Sequence, residues 1–100
     1  MSILSEILNE EYERLNNTLS SYEALAANLP KGSIRDKLIN GKNYPYLQWR
    51  EKGRIRSKYI KPEDLEALSN QIEQRRQYEK EIKLLRESKK EFNRVIGKDL

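Results

Sequence analysis

Leu8, Tyr12, Leu15, Leu19, Tyr22, Ala26 and Leu29 recur at alternating steps of four and three residues. That rhythm specifies a helix with a narrow heptad seam, and a narrow seam needs a second helix to cover it. Between the seam residues lie Glu10, Glu11, Glu13, Arg14, Asn16, Asn17 and Glu23, a solvated flank. Pro30 pushes the residue before it out of the helical region, and Gly32 follows, so the helix is expected over roughly 3–28.

A covering partner lies at the other end of the chain. Leu65, Leu68, Ile72, Tyr78, Ile82, Leu85, Phe92 and Ile96 keep the same rhythm, with one short step near Arg75–Tyr78. Arg75 and Lys89 stand where the seam expects an apolar side chain. Pro62 suits the first helical position, Glu63 and Asp64 suit the positive end of the dipole, and Gly97 is the expected stop. Without a proline or glycine inside, this stretch predicts one helix of about 50 Å at 1.5 Å per residue.

The middle follows a different period. Ser33–Ile39, Tyr44–Arg50 and Arg54–Ile60 are short runs separated by Asn40-Gly41 and Lys52-Gly53. Asn-Gly fits a two-residue turn that sets Ile39 opposite Lys42, Lys37 opposite Tyr44 and Arg35 opposite Tyr46. For the second turn, a three-residue loop with Gly53 in the bulge position sets Arg50 opposite Arg54 and Trp49 opposite Ile55. This choice sorts the sheet, because Ile34, Leu38, Pro45, Leu47, Trp49, Ile55 and Tyr59 then share one face. A two-residue loop at Lys52-Gly53 would mix Trp49 with Arg54, Arg56 and Lys58, since a one-residue slip flips every side chain. The expected fold is α+β: a long helix, a three-stranded antiparallel β-meander and a long helix, the helices forming an antiparallel coiled-coil hairpin. One domain is expected over 1–100, divided into helix 1–30, meander 31–61 and helix 62–100.

Composition removes whole classes of function. A chain of 100 residues with 36% apolar residues has no run of about 20 that could span a bilayer. It contains neither cysteine nor histidine, which excludes disulfide frameworks, cysteine- or histidine-ligated zinc and histidine-based triads. The start, Met1-Ser2-Ile3-Leu4-Ser5-Glu6, lacks the basic and apolar blocks of a secretory signal, so a cytoplasmic protein is expected. Glu10-Glu11, Glu63-Asp64 and Glu79/Glu81 fall on helix faces expected to be solvated, without the burial that shifts catalytic pKa values. No enzyme and no cofactor are expected.

Charge is concentrated in the meander. Residues 1–30 carry one basic and five acidic side chains, residues 31–61 ten basic and two acidic, and residues 62–100 nine of each. The formal charge of +4 therefore conceals a strongly positive centre. In the sorted register one sheet face gathers Arg35, Lys37, Arg50, Arg54, Arg56 and Lys58 as phosphate contacts around Tyr44, Tyr46 and Gln48. Cations for phosphates and flat rings for bases are what nucleic-acid binding requires. Three accounts fit this face: DNA or RNA, an acidic protein surface met by a coiled-coil adaptor or inhibitor, or plain solvation. One two-helix seam buries little, so a homodimer completing a four-helix bundle is also expected.

Lys31-Gly32-Ser33, Gly41-Lys42, Tyr44-Pro45-Tyr46-Leu47-Gln48-Trp49-Arg50-Glu51-Lys52-Gly53 and Arg56-Ser57-Lys58-Tyr59-Ile60 together resemble a family of small prokaryotic proteins. That family carries a similar "GS…YYLQYREGGK…SKYI" core between heptad helices and has no agreed activity. The resemblance implies the fold outline. Some longer relatives carry a cysteine cluster here, and this chain's lack of cysteine leaves no metal role to carry over.

Overall fold

A computed structural model describes residues 3–96. The order is helix α1 (Ile3–Ala27), strands β1 (Ser33–Ile39), β2 (Lys42–Glu51) and β3 (Arg54–Tyr59), a 3₁₀ turn over Pro62–Asp64, and helix α2 (Leu65–Ile96). This is the expected α+β arrangement of helix, antiparallel meander and long helix. Pro62 occupies the start of the 3₁₀ turn, whose extended entry at Lys61 leads into α2. The expected stop at Gly97 and the side chain of Ile96 lie outside the described residues.

The chain divides into two compact units, α1 with α2 from Gln77 onward, and Leu29–Arg76. In the helical unit Tyr12 packs on Phe92 with ring centroids 5.4 Å apart, and Tyr22 on Tyr78 at 5.7 Å. Positions that rise along α1 meet positions that fall along α2, so the two run antiparallel. Leu19, Ala26 and Ile82 form the buried centre, flanked by Tyr22, Tyr78 and Leu85. Leu15, a seam residue, is only half-buried. Arg86 and Glu23 bridge the pair at 3.9 Å, an exposed contact of small energetic weight.

In the sheet unit the strands lie in the order β1-β2-β3. The β1–β2 register is the expected one, with Ile39 opposite Lys42, Lys37 opposite Tyr44 and Arg35 opposite Tyr46. The β2–β3 register corrects the expectation by one residue. Glu51 faces Arg54, Arg50 faces Ile55, Trp49 faces Arg56 and Tyr46 faces Tyr59. Lys52 and Gly53 form a two-residue turn, both at positive φ (50° and 78°), matching Asn40-Gly41 at 51° and 80°. Cross-strand pairing explains the choice. The three-residue loop would oppose Arg50 with Arg54, whereas this register sets a carboxylate against an arginine and a tyrosine against a tyrosine. Holding Lys52 in the left-handed region costs about 1–2 kcal/mol, which these pairs offset.

One sheet face meets the first turns of α2. Ile60 and Ile72 are buried. Shallow cavities along this seam are lined by Leu47, Ile60 and Leu68, and by Ile34 and Ile72. Leu38 is 72% exposed, being out at the first hairpin tip beyond this seam. Arg75 is half-buried, and its guanidinium donates to the Leu29 carbonyl at 2.5 Å while Arg76 donates to that of Gly32 at 3.3 Å. Arg75 thus ties the incoming loop to α2. Gly32 sits at φ 126°, where a Cβ would stand 2.3 Å from the Gln48 carbonyl oxygen; glycine lets the loop approach β2 this closely.

Candidate nucleic-acid interface

Alternation along the observed ladders divides the meander's cations between two faces. Arg35, Lys37, Tyr44, Tyr46, Gln48 and Arg50 share one face, where Ile55, Ser57 and Tyr59 join them. Arg54, Arg56 and Lys58 lie on the other, with Trp49, Glu51 and the residues that meet α2. The nine expected site residues therefore do not form one surface. The one-residue change in the β2–β3 register is the whole reason.

The first face is an aromatic cluster with a lysine across it. The Lys37 ammonium lies 4.2 Å from the centroid of the Tyr46 ring and donates to Ser57 Oγ at 3.1 Å. Tyr46 and Tyr59 meet edge to face at 5.7 Å, and Tyr44 and Tyr59 at 6.3 Å. Such contacts contribute about 0.5–1.5 kcal/mol per aromatic pair beyond burial and fix the rings in place. Tyr59 remains 42% exposed. Because α2 takes the opposite face, this one is open within the sheet unit, with Arg35 and Arg50 exposed on it. Chemically it offers ring faces for stacking, four cations for phosphates (Arg35, Lys37, Lys42 and Arg50), and the Gln48 amide.

Tyr59 and Ser57, which the structure adds to this candidate face, are absent from the expected one because the sorted register sends odd positions of β3 to the apolar face. Two signals could have found them: the opposite charges of Glu51 and Arg54, and the pairing of Tyr59 with Tyr46.

The second face is arranged differently. Glu51 Oε2 accepts from the Trp49 indole at 3.4 Å and lies 3.8 Å from Arg56 Nε. β1 begins at Ser33, opposite Gln48. Beyond that row β2 pairs with β3 alone, so Trp49–Arg56 is a two-stranded tip. Among the described residues, no carboxylate lies within ion-pair distance of Arg50, Lys52 or Arg54.

No helix among the described residues is long and apolar enough to cross a membrane. The chain belongs to the DUF6788 family, a domain of unknown function, whose model matches residues 4–70. The match takes in α1, the whole meander and the start of α2. No curated protein and no solved structure shows significant similarity to the chain.

Proposed function

We propose that this protein is a non-enzymatic, cytoplasmic nucleic-acid-binding or nucleoprotein-associated accessory protein that binds DNA or RNA through its β-meander. The observation that carries it is the open face on which Lys37 lies over Tyr46 beside Tyr59 and Tyr44, with Arg35 and Arg50 exposed around them. Fixed rings give bases a stacking platform, and unpaired arginines recover free energy by displacing counterions from phosphates. A purely structural sheet face gains nothing from this concentration of like charge, which weakens folding by self-repulsion. Retention of the protein on DNA or RNA at low salt, competed by unrelated nucleic acid, is the test. Absence of retention overturns the reading in favour of a coiled-coil adaptor or inhibitor that binds an acidic protein surface.

A second observation favours self-association of the helical unit. A groove of about 690 Å³ along α2 is lined by Leu8, Leu84, Phe92 and Val95 among others, with Leu84 56% and Val95 77% exposed. A second helical pair set into this groove would give a four-helix homodimer. Sedimentation at micromolar concentration tests it, and a monomer at all concentrations overturns it.

A further inference from the structure

The two-stranded tip has features that an open stacking face does not need. Its eight residues, Trp49–Arg56, hold four cations (Arg50, Lys52, Arg54 and Arg56) and one acid (Glu51), a net of +3. The cations are not on one side. Arg50 lies on the tyrosine face, Arg54 and Arg56 on the other, and Lys52 at the turn itself. Glu51 is partnered by Arg56 and Trp49, which leaves Arg50, Lys52 and Arg54 to meet an external anion.

A flat patch serves a single row of phosphates. Cations on both faces of a ribbon serve two rows, one on each side, which is what the walls of a duplex groove present. The dimensions agree. Three rows of paired residues at about 3.4 Å each reach roughly 10 Å beyond β1. The major groove of B-form DNA is about 8.5 Å deep and 12 Å wide, and it admits a two-stranded ribbon. The deep, narrow major groove of A-form RNA does not admit side chains in this way.

We propose that the β2–β3 tip enters the major groove of duplex DNA, with Arg50 and Arg54 facing opposite walls and Lys52 leading. This rests on the nucleic-acid reading above and assigns the tip a role separate from that of the tyrosine face. Trp49, the single tryptophan of the chain, stands at the base of the tip and reports its occupancy without any label.

The experiment titrates the full-length protein with a mixed-sequence DNA duplex and with one of its single strands, following Trp49 fluorescence. Protection of guanine N7 from dimethyl sulfate, which lies in the major groove, is measured in parallel. The expected result is a Trp49 change and N7 protection on the duplex. In K52N/R54A, which leaves every cation of the tyrosine face in place, with an unchanged circular dichroism spectrum, duplex affinity should fall about tenfold or more and the salt slope by about two units. Single-strand affinity should fall much less. Unprotected N7 in a retained complex, or an equal loss on single strand and duplex, overturns the groove placement and leaves the nucleic-acid reading standing. Failure to retain any nucleic acid at low salt overturns both.

Discussion

Tyr46 of β2 stands directly opposite Tyr59 of β3, and their rings meet edge to face with centroids 5.7 Å apart. This pair exists only in the register that the Lys52-Gly53 turn produces. It brings Tyr59 onto the face that already holds Lys37 and Tyr44, making a cluster from what would otherwise be a scatter of side chains. The turn therefore decides which chemistry each face of the meander carries.

The turn is strained at one residue. Lys52 adopts φ 50°, a conformation that costs most L-residues about 1–2 kcal/mol and that asparagine and glycine tolerate better. Lys52→Asn should raise stability by up to about 1 kcal/mol in urea denaturation. A loss of similar size would show that the turn is not of the two-residue kind.

Gly32 should be intolerant of any side chain. Its positive φ of 126° and the 2.3 Å approach to the Gln48 carbonyl leave no room for a Cβ without backbone movement. Gly32→Ala should cost roughly 2 kcal/mol or more, read as a lowered thermal midpoint. Wild-type stability would mean that the loop and β2 are not held this close.

Leu19 and Leu84 should behave in opposite ways. Leu19 is 7% exposed at the centre of the helical unit, and Leu19→Ala should destabilise by roughly 2–4 kcal/mol. Leu84, 56% exposed, should change monomer stability by less than about 0.5 kcal/mol when cut to alanine. Its effect should appear in sedimentation instead, as weaker self-association. Equal destabilisation by both variants would place Leu84 in the core.

Tyr46 supplies the ring on which a base would stack once the Lys37 ammonium above it swings aside to a phosphate. Tyr46→Ala should weaken binding of single-stranded DNA by about 1–3 kcal/mol, while Tyr46→Phe keeps most of it. Filter binding at low salt measures both. Full affinity in the alanine variant would remove stacking from the account and leave phosphates alone.

The helices and the first hairpin were legible in the residues themselves. The heptad steps of Leu8 through Leu29 and the Asn40-Gly41 turn each allow one local solution, and the structure adopts it. The second hairpin was not, because two criteria disagreed. Sorting side chains by polarity placed Ile55 beside Trp49, but the Glu51–Arg54 and Tyr46–Tyr59 pairs outweigh that sorting, and Ile55 stays 67% exposed. Polarity sorting misleads here because α2 covers only part of its sheet face, leaving little burial to be gained at the tip. Arg75 illustrates a second limit. Within the helix pattern it is a flaw in the seam, and its purpose becomes visible only once the Leu29 carbonyl arrives beside it.

The passage of α2 through both compact units sets a lower bound on how the molecule can be divided. The boundary between Arg76 and Gln77 falls between consecutive turns of one helix, so main-chain hydrogen bonds of the i→i+4 ladder span it. A fragment cut there would keep about a dozen residues of α2 on the sheet side, near the length at which an isolated helix barely holds. The other cut end would leave α1 beside a helix that had lost its first three turns. Neither half should therefore serve as an autonomous module, and a graft of the meander onto another scaffold would have to bring its helical stem with it.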